Sequence, residues 1–267
     1  REYELTGDVK KRQESEYWKS IEFSLFHKVA VSYYPSYVEE EAIHAVDETI
    51  PVKAITAYVY EEFLQNLNKD FAKREGLLFV GGFAHPPNAD AVLWFAKEVF
   101  PKIREQIKVN FYIVGSKVTD EIKALEQPGN GIIVKGFVSE EELADLYRNC
   151  RIVVVPLRYG AEELSELYAT CRVVVVPLRY GAGVKGKVVE AIYNGAPIVT
   201  TSVGSEGIPN VEKVLLVKDQ PDEFAETVVE LYKDEKRLED LAEKTQVYIR
   251  EHFSIDAAWD VIKEDFE

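Results

Sequence analysis

The strongest chemical signal in the sequence lies in residues 181–187, which read GAGVKGK. This loop combines three glycines with two lysines, Lys185 and Lys187. Glycine lets a backbone approach a ligand closely, and the N–H groups at the start of a following helix bind anions. The lysines add positive charge at the same place. The pattern predicts a binding site for phosphate or diphosphate.

The segments on either side of the loop predict how it is held. Residues 172–176 form a continuous, mostly β-branched apolar run, which is typical of a strand covered on both faces. Residues 188–194 carry apolar side chains at helical spacing, and Glu190 lies on a different face near the helix start. Gly195 is suited to a helix C-terminus, and residues 198–201 predict a second buried strand.

From residue 76 onward the chain alternates between strand and helix patterns. Strands are predicted at 77–80, 109–114 and 131–134, a helix at about 89–106, and another helix capped by Ser139. Alternation at this spacing predicts an α/β fold with a doubly wound, Rossmann-like parallel sheet, whose ligands lie beyond the carboxyl ends of the strands. Three further helices are predicted at 221–233, 235–252 and 255–265.

The first part of the chain has fewer elements. Apolar residues recur at helical spacing within residues 1–27, and strands are predicted at 29–34 and 52–59 with a helix at 37–46 between them. These are too few strands for a complete α/β domain. The charged residues 59–75 are interpreted as an inter-domain linker.

Composition limits the partners and the compartment. The chain has 267 residues, with 32 basic and 47 acidic side chains, for a net charge of −15. So acidic a chain argues against nucleic acid, although a nucleotide in a locally basic pocket remains compatible. Its two cysteines, Cys150 and Cys171, form no disulfide or metal-binding pattern, which favours a reducing, cytoplasmic location.

No apolar run reaches the roughly 18–20 residues of a membrane span, and no leader peptide is recognisable. The sequence begins at Arg1 and contains no methionine, so we interpret it as a fragment or an altered chain. A longer protein of this kind is compatible with peripheral association with a membrane.

One helix–strand unit is present twice. Residues 141–161 recur as residues 162–182, with 16 of 21 positions identical. A solenoid needs three or more repeats, so this is a duplication. It places Cys150 and Cys171 at the same position of the two copies.

Several motifs in order resemble one family. They are the strand followed by Gly-Gly, GFVS-EEL, PLRYGAGVKGKVVEA and GAPIVTTSVGSEGI. Over roughly residues 76–250 the chain resembles the nucleotide-sugar-binding domain of a GT-B glycosyltransferase, most closely the retaining family 4 enzymes. Residues 1–58 resemble only the last part of the acceptor-side domain, and 251–267 resemble the helix that crosses back to it.

The resemblance implies a nucleotide-diphospho-sugar as donor, with no separate cofactor and no metal. Gly81 and Gly82 would let a loop approach the diphosphate and the sugar. Main-chain groups of Gly136, Phe137 and Val138 would contact the base.

The same resemblance implies catalytic roles for Lys185 and Glu190. Lys185, together with Arg179 or Lys187, would neutralise the departing diphosphate. Fixed positive charge is the expected device for stabilising a leaving group of this kind. Glu190 would bind the ribose hydroxyls.

Two further residues complete the implied donor site, and one position departs from the family. Gly183 lies in the lysine loop, and Glu206 would approach the sugar. Many family members have a glutamate eight positions before the ribose-binding one, where this chain has Ala182. The acceptor is not identifiable from the sequence.

The duplication raises the question of which copy takes the family's strand position, beside the strand that leads into Gly81. If the first copy does so, residues 173–176 move by one strand, about 4.8 Å, and Lys185 and Glu190 miss a donor held at Gly81. We predict that the second copy takes the position, because only it leads into the full motif. The strand at 152–155 would then be an insertion elsewhere or a displaced flap.

Other functions stay open beside a retaining glycosyltransferase. Truncation and duplication favour a catalytically inactive nucleotide-binding or structural module. Another GT-B enzyme, such as a nucleotide-sugar epimerase, is a weaker alternative. A dinucleotide-binding domain is disfavoured, because no G-x-G-x-x-G follows the first strand.

Overall fold

The computed structural model describes residues 7–63, 76–139, 141–142, 146, 152–154, 173–181 and 183–266. Both cysteines, most of the predicted linker and most of the first copy of the repeat lie outside these residues.

The N-terminal unit contains two helices and a two-stranded parallel sheet. Its elements are α1 Val9–Phe26, β1 Ser32–Tyr34, α2 Tyr37–His44 and β2 Val52–Ala54. The carboxylate of Asp8 begins α1 by accepting a hydrogen bond from the Lys10 N–H at 2.9 Å. A small core of four buried side chains joins these elements: Phe26, Ile43, Ile50 and Val52.

The elements of this unit differ in part from the predicted ones. The strand predicted at 29–34 begins at Ser32, and Tyr17 and Trp18 of α1 are exposed. The strand predicted at 52–59 ends at Ala54. Thr56 then turns the chain, since its hydroxyl accepts a hydrogen bond from the Tyr58 N–H at 3.1 Å.

A seven-stranded sheet forms the centre of the second unit, and every described pairing in it is parallel. Its strands are β3 Leu77–Val80, β4 Phe111–Val114, β5 Ile132–Gly136, β6 Ile152–Val154, β7 Val173–Val176, β8 Ile198–Thr200 and β9 Leu215–Val217. The strand order is β5-β4-β3-β6-β7-β8-β9. This confirms the predicted α/β fold with a parallel sheet.

The apolar runs in the sequence explain which strands are central. All four valines of β7 are buried, as are Leu77, Leu78 and Phe79 of β3. Burying a side chain of this size stabilises the fold by about 1.5–3 kcal/mol relative to its exposure. These strands are therefore covered on both faces.

The prediction about the duplicated strand is wrong. The first copy, β6, pairs directly with β3, with Leu77 opposite Ile152. The second copy, β7, pairs with β6, with Ile152 opposite Val173. Because the two copies are chemically almost identical, the ladder accepts them side by side in chain order. The loop after β7 consequently lies two strand spacings, about 10 Å, from β3.

A long helical segment follows β3 and contains an irregularity. It comprises α3 Pro86–Trp94, a π-helical turn Phe95–Val99 and α4 Phe100–Gln106. Pro101 explains the wide turn, since proline has no N–H and its ring clashes with the carbonyl four residues earlier. The predicted helix at 89–106 thus starts earlier and is not continuously α-helical.

The remaining helices cover the sheet and return to the N-terminal unit. They are α5 Asp120–Lys123, α6 Gly186–Tyr193, α7 Ser202–Ser205, α8 Pro221–Lys233, α9 Glu235–Phe253 and α10 Ile255–Ile262. After α10, a 3₁₀ turn places Asp265 against the N-terminal unit. The Asp265 carboxylate accepts hydrogen bonds from Lys53 Nζ at 2.7 Å and from the Tyr33 hydroxyl at 2.6 Å.

The carboxyl ends of β3 and β4 lie close together at two glycines, Gly81 and Gly115. The Gly81 N–H donates to Val114 O at 3.0 Å, and a Cβ atom placed on Gly115 would overlap the Gly81 carbonyl oxygen. Gly115 therefore sets how closely the two strand ends can approach.

We expect Gly115→Ala to lower the free energy of unfolding by about 1–3 kcal/mol more than a control, Gly129→Ala, because it overpacks this junction. Gly129 also has a positive φ, but a Cβ there meets no atom within 4 Å. Urea denaturation of both variants measures the difference. Equal losses would contradict the close approach.

Candidate functional site

A glycine turn follows β3 and is held by hydrogen bonds with two neighbouring elements. The Phe83 N–H donates to Ser116 O at 3.0 Å, which ties the turn to the loop after β4. The Asn88 side-chain amide, on α3, donates to Gly82 O at 3.0 Å. Asn88 is fully buried, so this bond is shielded from water. The predicted ligand-approach turn at Gly81 and Gly82 is therefore a rigid part of the sheet edge.

The loop predicted to contact a base lies next to that turn. Gly136 ends β5 with φ +70°, and its carbonyl accepts a hydrogen bond from the Gly115 N–H at 2.8 Å. Phe137 is 82% exposed, while Val138 is partly buried against the core. The Ser139 hydroxyl accepts a hydrogen bond from the Glu142 N–H at 3.2 Å, as predicted for a helix cap.

The lysine loop connects β7 to α6. Leu178 is buried, and its carbonyl accepts a hydrogen bond from the Thr201 hydroxyl at the end of β8. Arg179 extends in the other direction and forms two hydrogen bonds with the Asp90 carboxylate on α3. Both sides of the loop entrance are thus anchored.

Lys185 stands at the N-cap position of α6 and is only 3% exposed. Its ammonium group donates to Gly183 O within the same loop. Gly183 adopts φ +74°, a conformation that glycine tolerates best. A buried cation beside the N–H groups of a helix N-terminus makes this loop suited to bind an anion. The structure places Lys187 in the first turn of α6.

Glu190 lies on α6 beside two tyrosines of the N-terminal unit. The Tyr60 ring stacks on Tyr193, with ring centroids 4.0 Å apart and an angle of 8° between the planes. Burial, and then the negative charge of Glu190, raises the pKa of Tyr60 above its ordinary value. The Tyr58 hydroxyl lies where a side chain at Gly186 would begin. The half-buried Glu190 is therefore at the boundary between the two units.

The turn containing Glu206 also meets the N-terminal unit. Gly207, with φ +76°, lies so close to Ser36 that a Cβ at Gly207 would be 2.7 Å from the Ser36 Cβ. The Ser36 hydroxyl donates to the Glu39 carboxylate, which faces the lysine loop near Gly183. Glu206 itself is half-buried, at the carboxyl end of β8.

A cavity of about 260 Å³ lies between the two units. Its wall includes Ser36 and Thr56 from the N-terminal unit, Val184 and Gly207 from the sheet edge, and His252 from α9. Burial lowers the pKa of His252, which favours a neutral imidazole. Most of the cavity wall is apolar, and Val184 places the cavity beside the lysine loop.

All the predicted site residues lie at one edge of the sheet, but in two groups. The first group contains Gly81, Gly82, Gly136, Phe137 and Val138, at the ends of β3 and β5. The second contains Arg179, Gly183, Lys185, Lys187, Glu190 and Glu206, around α6 and the end of β8. Strand β6 separates the two groups.

Sequence comparison gives the family. The sequence profile of the family "Glycosyl transferases group 1" matches residues 74–162 and, again, 159–234, which together make up more than half of the chain. The two matches meet at the junction between the copies of the repeat. The chain belongs to this glycosyltransferase family. This confirms the resemblance noted from the motifs.

One similar curated protein is an uncharacterized 44.6 kDa protein in the cps region of Klebsiella pneumoniae. It is 26% identical over 204 residues, which cover 73% of this chain and 45% of that protein. This chain thus spans less than half of its relative.

Solved structures share the fold at low sequence identity. A mutant of S. aureus TarM, in a complex with UDP, fondaparinux and α-GlcNAc-glycerol, has a TM-score of 0.62 at 13% identity, covering 91% of this chain and 45% of TarM. Anabaena HepE, bound to UDP and glucose, has a TM-score of 0.58 at 15% identity, covering 91% and 64%. Sucrose-phosphate synthase of Thermosynechococcus elongatus has a TM-score of 0.59 at 17% identity, covering 92% and 60%.

In the part of the chain that the structure describes, no cluster of three or more His, Cys, Asp or Glu side chains is arranged to hold a metal ion. None of the helices described there combines the length and apolar character needed to cross a membrane.

Sequence reasoning missed several residues that shape the site, among them Asn88, Asp90, Gly115 and Tyr58. Asn88 and Asp90 occur in the first turns of a helix after two prolines, where polar residues are common. The burial of Asn88 and the long-range pairing of Asp90 with Arg179 leave no local pattern. Only the closeness of Asn88 to the glycine turn, six residues after Gly82, could have indicated a role.

We expect Asn88→Ala to lower the free energy of unfolding by about 1–3 kcal/mol, because it removes a buried donor and leaves Gly82 O without it. Gln106→Ala is the control, since that exposed amide is 3.5 Å from Lys102 O, and it should change stability by no more than about 0.5 kcal/mol. Urea denaturation compares them. An Asn88→Ala loss as small as that of the control would show that Asn88 does not hold the turn.

Proposed function

We propose that this chain is the donor-binding part of a glycosyltransferase that uses a nucleotide-diphospho-sugar. The observation that carries the proposal is the buried Lys185 at the N-terminus of α6, at the carboxyl edge of a parallel sheet. Helix N-termini at this edge are where doubly wound sheets bind phosphate groups. Residues 76–250 would form the donor domain, and 251–267 would link it to the acceptor side.

The chemistry follows from the charge that develops in sugar transfer. As the bond from the anomeric carbon to the diphosphate breaks, negative charge collects on the leaving oxygen. The Lys185 ammonium group and the N–H groups of the first turn of α6 are fixed in the fold, so they stabilise that charge without reorganisation. In this proposal these groups supply the positive charge that stabilises the leaving group. The reaction then needs only the nucleotide sugar and the acceptor, with no metal ion or separate cofactor.

The similar structures support uracil as the base. TarM and HepE were both solved with UDP. In this chain the exposed Phe137 and the main chain at Gly136 would receive the base, and Glu190 would accept hydrogen bonds from the ribose hydroxyls. We therefore propose UDP-sugar as the donor class.

The whole protein would transfer the sugar to an acceptor with retention of the anomeric configuration, on the cytoplasmic side of the cell. Residues 1–58 would supply part of the acceptor side, where the cavity between the units opens. The coupling constant of the anomeric proton in the product, measured by NMR, distinguishes retention from inversion.

A second candidate is a nucleotide-binding module without transferase activity. Strand β6, between β3 and β7, favours it, because the insertion separates the glycine turn from the lysine loop. A donor held at one group of residues would then reach the other group poorly.

Calorimetric titration tests the binding site. We expect the chain to bind UDP more tightly than GDP, and Lys185→Ala to weaken UDP binding by about 10- to 100-fold through loss of a charge-assisted hydrogen bond. Glu190→Ala should weaken UDP but leave inorganic diphosphate unchanged. Lys97→Ala is the control, since Lys97 pairs with Glu121 on the surface. A chain that binds neither nucleotide would overturn the proposal.

Removing one copy of the repeat tests the role of β6. Deletion of residues 162–182 joins Ala161 to Gly183 and keeps the sequence PLRYGAGVKGK intact. The lysine loop should move one strand spacing, about 4.8 Å, towards β3, so UDP affinity should rise at least tenfold. The same deletion carrying Lys185→Ala is its control. Unchanged UDP affinity would mean that β6 does not interrupt the site.

A further inference from the structure

The pair formed by Arg179 and Asp90 connects the two separated groups of site residues. Arg179 is the third residue after β7, and Asp90 lies on α3, which follows the glycine turn after β3. Arg179 Nε is 2.9 Å from Asp90 Oδ2, and Arg179 Nη2 donates to Asp90 Oδ1. Two hydrogen bonds from one guanidinium group to the two oxygens of one carboxylate fix the relative orientation of the charged groups, which a single contact does not. The pair therefore links the loop after β7 to the helix after β3, across the position of β6.

Both ends of this connection are themselves fixed. On one side, Asn88 precedes Asp90 by two residues on α3, and its amide donates a hydrogen bond to Gly82 O. On the other side, Leu178 is held by the Thr201 hydroxyl. The side chain of Asp90 is 22% exposed and that of Arg179 is 50% exposed, so water screens the pair only in part. A displacement of the lysine loop from α3 would break both hydrogen bonds together.

We propose that Asp90 is a positioning residue for the lysine loop. In this role the Arg179 guanidinium group serves to hold the loop against α3, and Lys185 is left to meet the diphosphate. The role rests on the proposed function, since the loop matters to catalysis only if it binds a donor. Asp90 acts through Arg179 and is not itself a ligand of the nucleotide.

Charge exchange across the pair separates positioning from direct binding. The variants are Asp90→Arg, Arg179→Asp and the two combined. Each single change places two like charges together, so we expect faster amide hydrogen exchange in residues 178–187 and UDP affinity about three- to tenfold weaker. The combined variant restores an opposite-charge pair, and both properties should return to within about twofold of the unaltered chain.

A matched pair elsewhere serves as the control. Lys102 pairs with Asp222 on the surface between α4 and α8, far along the chain from both loops. Lys102→Asp, Asp222→Lys and their combination carry the same kind of charge exchange. We expect these variants to leave hydrogen exchange in residues 178–187 and UDP affinity unchanged.

Two results would overturn the proposal. If the single variants leave exchange in residues 178–187 unaltered, the pair does not position the loop. If Arg179→Asp weakens UDP binding and the combined variant fails to restore it, the guanidinium group contacts the diphosphate directly. Hydrogen exchange needs no nucleotide, so it decides the role of the pair even if the unaltered chain binds no UDP and the proposed function fails.

Discussion

A strand inside a parallel sheet has two neighbours, and each backbone edge forms hydrogen bonds with one of them. In this sheet β6 occupies the edge of β3, so β7 pairs with β6 and β8 pairs with β7. Each strand after β6, together with the loop that follows it, therefore lies one strand position further from β3 than it would without β6. The lysine loop, α6 and the turn at Glu206 therefore move as one block relative to the glycine turn. The arrangement of the candidate site depends on this order of pairing.

Within the displaced block the local chemistry is intact. Lys185 is buried at the helix N-terminus, and the strand before it and the strand after it are fully covered. The loop holds the buried Lys185 ammonium group in a chain whose net charge is −15. A buried cation beside helix N–H groups in an acidic protein selects an anion by position, since the surrounding surface repels it. The insertion changes where this loop lies and leaves its composition unchanged.

The sequence predicted the elements whose signals are local. The valines of β7 indicated a buried strand, Ser139 indicated a helix start, and the glycines around Lys185 indicated an anion loop. The predicted place of the repeated strand was wrong, because it rested on the motif that follows the second copy, and the two nearly identical strand sequences carry no signal that ranks them beside β3. The π turn at Phe95–Val99 was also missed, since it arises from one proline inside an otherwise regular helical pattern.

Long-range pairs form the other class of features that the sequence could not give. Arg179 was expected near a diphosphate, and the structure pairs it with Asp90, 89 residues away in the sequence. Tyr58 and Tyr60 were predicted as strand and linker residues, and they lie against α6. Such contacts are set by how elements pack, and neither partner carries a pattern that identifies the other.

The two glycines at the boundary between the units, Gly186 and Gly207, have a mechanical consequence. Each lies against a side chain of the N-terminal unit, Tyr58 in one case and Ser36 in the other, at a distance that no methyl group would fit. A methyl group at either position would require Tyr58 or Ser36 to shift. The close packing of the two units therefore depends on the absence of a side chain at both positions.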